Sequence, residues 1–303
     1  LGHPNEHHNS RENAPILASA LSKDGINISY TENLEDLNSY NLSLYDGLII
    51  YANYDTISKQ EEKALLDYVR SGHAFIPIHS ASFCFRNSPD YIDMVGGQFI
   101  SHDTATFTAK IVNKDHPLMK SVKEFSTWDE TYVHDQLSKD LTVLEERIEG
   151  DHHEPYTWVK NYGEGKVFYT AYGHDERTWK NPEFQNLIKQ GILWGISDKV
   201  KAQWVAFEKT IPKLVYKPMP NIPNYEKREP APEYQEPLTP EESKKLIQVP
   251  AGFDLELFAS EPEIINPIAM NWDEKGRLWV VETVDYPNTV RNDKGTGDDR
   301  IKI

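Results

Sequence analysis

The sequence predicts a three-layer α/β domain with a mostly parallel sheet, then a proline-rich linker and a short all-β segment. Three observations carry this. Capped helices alternate with apolar strand-like runs over the first 200 residues, the pattern of a parallel sheet covered on both faces. Eight of the 19 prolines then fall between Ile211 and Pro240, a density that suits an extended linker rather than a core. From residue 249 short β runs separated by turns replace the helical period. The expected division is therefore 1–200, 201–248 and 249–303.

In chain order, Asn9 with Glu12 reads as a helix start, apolar positions recur to Leu21, and Gly25 closes the helix. "INISY" (26–30) reads as a short strand, and "DGLIIYA" (46–52) as a strand buried on both faces. Ser58 and Glu61 form a capping box for a helix whose stripe is Ala64, Leu65, Tyr68 and Val69, ended by Gly72. "AFIPIH" (74–79) is the next strand, with Pro77 a misfit because it removes a ladder donor. Further strands are expected at 107–113, 142–148, 156–162 and 166–172, with "GEGK" (163–166) as a hairpin turn. Asn181 and Pro182 open the last helix, through Trp194. In the linker only "TPEESKKLI", capped by Thr239 and Glu242, predicts a turn of helix, while Trp204, Tyr216 and Tyr225 need cover. "DEKG" then joins "IAMNW" and "RLWVVE" as a hairpin.

Composition bounds the function. A net charge of −16 argues against a nucleic-acid partner, which needs a basic face. No run approaches the ~20 apolar residues of a membrane span. One cysteine excludes a disulfide framework or a multi-cysteine zinc site. Both ends, "LGHPNEHHNS" and "TGDDRIKI", read as cut, so the lack of a targeting segment says nothing.

Parallel sheets bind ligands beyond the carboxyl ends of their strands. That rule collects His3, Glu6, His7 and His8 at the start of the chain, His79 after "AFIPI", Asp129, Glu130, Tyr132 and His134 in "TWDETYVH", and His174 with Asp175 in "TAYGHDE". Imidazoles gathered with carboxylates suit zinc or a similar divalent ion. The competing reading is a metal-free network in which His79 and His174 hydrogen-bond Asp129 or Glu130 and hold a sugar directly. Trp128, Tyr132, Trp158, Tyr172 and Trp179 lie near the same motifs, where aromatic faces suit sugar rings or simply pack the core. His73, His116 and His152 read as surface residues. "IHSAS" lacks the glycines of a nucleophile elbow, and Cys84 between Phe83 and Phe85 reads as a buried hydrophobe, not a thiolate.

"YDGLIIYANYDTIS", "EKALLDYVRSGHAFIPIHSAS", "TWDETYV" and "GKVFYTAYGHDERTWKNPEFQNLIKQGILWGI" together resemble the trehalose-utilisation, ThuA-like family over residues 1–200. The resemblance implies a flavodoxin-like sheet similar to class I glutamine amidotransferases. His79-Ser80 stands where those enzymes place a cysteine, so amidotransferase activity is not implied. Residues 249–290 look like the opening of the sugar-dehydrogenase-like β-propeller often fused behind such domains in large exported bacterial proteins. That implies a periplasmic or cell-surface setting and a propeller partner in the same polypeptide. No Cys-x-x-Cys-His is present, so neither haem nor a quinone cofactor is expected here.

The expected function is a carbohydrate-active domain working on a sugar or keto-sugar. His7, His79, His174 and Glu130 would hold a divalent metal, zinc first. Glu130, His79 and Asp129 would carry the chemistry, with Trp128, Tyr132, Asp175 and Trp179 on the substrate. The alternative is a non-catalytic sugar-binding or structural module serving a fused dehydrogenase propeller.

Overall fold

The central sheet runs in the order Gly47–Ile50, Ala74–Pro77, Gly165–Thr170, His152–Tyr162, Thr142–Glu149 and Lys110–Ile111. These belong to a computed structural model that describes residues 1–219, 222, 224, 226–285 and 297–303. The three α/β layers are present, and the sheet is mixed. Its first three strands are parallel, and from Gly165–Thr170 onward each neighbour is antiparallel. The change of direction has a local cause. Tyr162 and Gly165 pair across a two-residue turn in which Gly163 takes φ 61°, so the expected hairpin reverses the chain where a parallel crossover would need a helix.

Adjacent residues of Ala74–Pro77 show which helices cover which face. Ala74 and Ile76 meet Gly195 at the end of the helix Pro182–Gly195, whereas Phe75 packs on Tyr91 of the helix Pro89–Val95. Phe168 likewise fills the space beside Gly191 while its neighbour Tyr169 packs on Trp158. Period-two alternation thus sends the strand's apolar side chains into both helical layers. Pro77 is tolerated because pairing with the 165–170 strand covers Ala74 and Phe75 and resumes as a bridge at Ile78, leaving the ladder interrupted across the proline.

The capping boxes at Ser58/Glu61 and Thr239/Glu242 both form. The helix Ser10–Ser22 begins where expected, but Asn9 makes no side-chain cap. Residues 26–30 carry no strand, although Ile26 and Ile28 pack on the core and so keep the alternation that suggested one. The helix Asp198–Glu208 follows, and Trp204 donates its Nε1–H to the Asp24 carbonyl at 2.7 Å. Among the described residues no helix is long and apolar enough to cross a membrane.

The chain divides into one unit of Leu1–Ile211 with Pro250–Gly252 and a second of Pro212–Val249 with Phe253–Ile303. The second holds a strand pair that the proline density concealed, Tyr216–Pro218 against Glu233–Gln235. Both segments are short and two-stranded, the setting in which edge prolines are compatible with pairing. The "DEKG" hairpin forms between Pro267–Trp272 and Leu278–Glu282, and Arg300–Lys302 adds a third antiparallel strand. Tyr225 lies outside the described residues.

Candidate metal centre

Three loops and one strand bring His8, His79, Glu130 and His174 together, with a ligand atom of each within 4.8 Å of the others. His79 is fully buried at the end of Ala74–Pro77, where the chain turns into a 3₁₀ segment, His79–Phe83. Its backbone is left-handed at φ 51°, a conformation a non-glycine residue keeps only when its surroundings impose it. Its Nδ1 lies 2.7 Å from the Ala171 carbonyl, so Nδ1 carries a proton and Nε2 is the nitrogen that faces the cluster. A carbonyl on the second ring nitrogen is the arrangement that orients a metal-binding histidine.

Glu130 ends the strand Thr127–Glu130, which pairs with Thr104–Phe107. Its Oε2 is 3.2 Å from His79 Nε2 and its Oε1 is 3.1 Å from His174 Nδ1. Apart from those contacts to Glu130, and among the described residues, His79 Nε2, His174 Nδ1 and both ring nitrogens of His8 are buried without a hydrogen-bond partner. Unsatisfied buried polar atoms are costly, and several gathered about one carboxylate could serve as the donor set of a cation. Burial pushes the Glu130 carboxyl up, but His79, His174 and His102 outweigh it and hold it below its usual range. It is the site's anion.

His174 is positioned from behind. Asp129 is fully buried and accepts from the backbone N–H groups of Gly173 and His174, both at 2.9 Å, and from Thr178 Oγ1 at 2.7 Å. Successive strand side chains leave on opposite faces, so "WDE" splits: Glu130 enters the cluster and Asp129 ties down the 173–178 segment. Expected as a catalytic group, Asp129 has its oxygens occupied by that scaffold. His8 comes from a loop knotted by Asn5, whose Oδ1 accepts from the backbone N–H of both His7 and His8 at 2.9 and 3.0 Å.

His8, and not the expected His7, stands in the cluster, whereas His7 is exposed and lies 3.4 Å from Glu6. The pattern "EHH" offered both, and only the loop geometry separates them. Removing the His7 imidazole (His7→Ala) should leave zinc affinity within about twofold of the parent, whereas His8→Ala should weaken it by more than the ~10–100-fold of an outer-shell change. Equilibrium competition with a chromophoric chelator measures both.

The other expected site residues fall around this cluster rather than in it. Tyr132 stacks on His79 at 4.1 Å between ring centroids, and Trp179 packs on Tyr51 and donates to the Gly173 carbonyl. Both are buried, so they support the site and offer no open face. Asp175 caps the helix Glu176–Trp179 and pairs with Arg177, whose guanidinium lies 4.5 Å from the Trp128 ring. His134 belongs to a separate pair with Glu154, and His3 stacks on Tyr54. Cys84 is buried, and burial pushes its thiol well up, against a thiolate role.

His102 was the residue that sequence reasoning missed. It sits in the turn between Gln98–Ser101 and Thr104–Phe107, and its Nε2 is 3.4 Å from Glu130 Oε1. With 39% of its side chain exposed, against 24% for His174, it marks the solvent side of the cluster. The only sequence signal was a polar "SHDT" turn between two short β runs, one of which pairs with the "WDE" strand.

Burial, then the charges of His79, His174, His7 and His102, pushes His8 down to about 2. The fold therefore keeps this ring neutral, while an unfolded chain protonates it near 6.5. The stability of the metal-free protein should be fully present above that pH and fall below it, by up to about 1.4 kcal/mol per pH unit from His8 alone. Urea titrations at pH 7 and pH 5 should show the decline, and the variant His8→Asn should flatten it.

Residues 2–195 match the family model described as trehalose utilisation (ThuA), and residues 239–303 match a domain of unknown function, DUF7133. A ThuA-like protein from Bacteroides uniformis superposes with a TM-score of 0.54 at 18% identity, covering 63% of this chain and 86% of that one. One from Parabacteroides merdae gives 0.51 at 18% identity, covering 64% and 87%. These likenesses concern the fold. No curated relative matches the chain.

Proposed function

The chain belongs to the ThuA (trehalose utilisation) family, and from that premise we propose that its α/β unit is a metal-assisted, carbohydrate-active domain acting on a sugar or keto-sugar. One observation carries the reading: buried imidazole nitrogens of His8, His79 and His174, lacking hydrogen-bond partners among the described residues other than Glu130, surround its carboxylate. Three imidazoles with one carboxylate is a donor set suited to zinc. A divalent ion held there supplies Lewis acidity towards a hydroxyl or carbonyl oxygen.

The chain's own residues do the rest. The Ala171 carbonyl fixes the His79 tautomer, Asp129 fixes the His174 backbone, and Asn5 fixes the His8 loop. Glu130, kept ionised by its histidine neighbours, would balance the positive charge as a ligand or, left uncoordinated, serve as the base. His102, on the solvent side, is placed to hydrogen-bond an arriving sugar. This supports hydrolysis, isomerisation or proton abstraction beside a keto group. Reading 249–303, whose described strands pair antiparallel, as the first strands of a propeller-like dehydrogenase domain rests on the sequence resemblance. The exported setting and the propeller partner are part of the same proposal and rest on the sequence resemblance.

Thermal-shift titration of zinc-loaded and metal-stripped protein with a disaccharide and its keto form tests the reading. Stabilisation by the sugars only in the loaded protein is expected. Equal stabilisation in both would favour a sugar-binding module without metal, and none in either would remove the sugar.

A further inference from the structure

Behind His79 lies a buried polar chain that none of the roles above uses. The Tyr169 hydroxyl is 3.1 Å from the His79 carbonyl, 2.9 Å from Ser82 Oγ and 3.0 Å from His134 Nε2. Ser82 Oγ is itself 3.1 Å from the His79 carbonyl. On the far side, Glu154 Oε1 accepts from the His134 backbone N–H at 2.9 Å and lies 3.1 Å from its Nδ1. Glu154 Oε2 is 3.3 Å from the half-exposed His152. Tyr169, Ser82 and His134 are all buried.

Counting protons shows how tightly the chain is specified. Facing a carboxylate, His134 Nδ1 carries the ring proton, which leaves Nε2 as an acceptor for neutral imidazole. The hydroxyls of Ser82 and Tyr169 then offer two protons to two acceptors, His134 Nε2 and the His79 carbonyl. Tyr169 donates to His134 and Ser82 to His79, or the His134 ring becomes doubly protonated and Tyr169 turns to His79. In either state the carbonyl of His79 accepts from one of the two hydroxyls, that of Ser82 in the first and that of Tyr169 in the second. The residue so held has a left-handed backbone and its other handle, Nδ1, on the Ala171 carbonyl. A left-handed non-glycine residue persists only where its surroundings over-determine it.

The geometry points to Tyr169, with Ser82, as positioning residues that lock the His79 backbone so that Nε2 faces the cluster with His8, Glu130 and His174. The inference rests on the metal reading above, because its consequence is metal affinity. Outer-shell partners that orient a ligand cost about 10–100-fold in affinity when removed.

The test strips the full chain of metal, then measures zinc affinity by chelator competition and the visible spectrum of the cobalt(II) form. The parent is compared with Tyr169→Phe, Ser82→Ala and a control, Tyr68→Phe, which removes another tyrosine hydroxyl bonded to a carbonyl, that of Tyr45. Tyr169→Phe should bind zinc about tenfold or more weakly with an altered cobalt spectrum, while the control keeps both. Ser82→Ala should weaken zinc in the same direction, and it carries the test if Tyr169→Phe does not fold. Unchanged zinc affinity and spectrum in both site variants would overturn the inference and leave the metal reading intact, even if the metal-free fold were destabilised. A parent chain that binds no zinc would overturn both.

Discussion

Glu130→Gln should reduce zinc affinity by more than 100-fold, beyond the ~10–100-fold range of outer-shell changes. The substitution keeps the side chain's shape and removes the carboxylate charge that stands among His8, His79 and His174. Glutamine offers one carbonyl oxygen where the carboxylate met His79 on one side and His174 on the other. The metal-free fold should change little, because the bond that ties Glu130 into the scaffold uses its backbone carbonyl, which accepts from Tyr156 at 2.5 Å. Chelator competition and chemical denaturation, run on one preparation, separate the two effects. Loss of the fold along with the metal would show that the carboxylate is structural.

Asp129→Ala should do the reverse and unfold before it informs on chemistry. Truncation would leave the N–H groups of Gly173 and His174 and the hydroxyl of Thr178 without their charged acceptor. Hydrogen bonds to charged groups are worth about 1.5–3 kcal/mol each, so a loss of roughly 3 kcal/mol or more is expected even with partial relaxation. Metal binding should fall with it, since His174 hangs on that backbone. Urea denaturation of the metal-free variant measures the cost. A variant as stable as the parent would move Asp129 from scaffold to site.

Much of this was readable from residues, and the failures have physical causes. The capping boxes, the apolar run at 47–50 and the hairpin at 163–164 are local signals, and local chemistry decided them. His79, Glu130 and His174 were legible because each ends a strand or follows one at a turn. Which of two adjacent histidines turns inward was not, because it depends on a loop, tied by Asn5 at the backbone of both, that no periodicity announces. Asp129 and Glu130 read as one motif until the strand sent them to opposite faces. His102 required knowing that 104–107 pairs with 127–130, a long-range register invisible to local pattern. The strand pair 216–218 with 233–235 was hidden by proline density, which marks extended chain without saying whether it pairs.

The metal site proposed here consists of His8, His79, Glu130 and His174. Zinc titration of metal-stripped protein, followed by elemental analysis after gel filtration, tests it most directly. About one zinc per chain is expected in the parent and in His7→Ala, and none retained in His79→Ala or Glu130→Gln. Zinc retained equally by all four proteins, or by none, would contradict it.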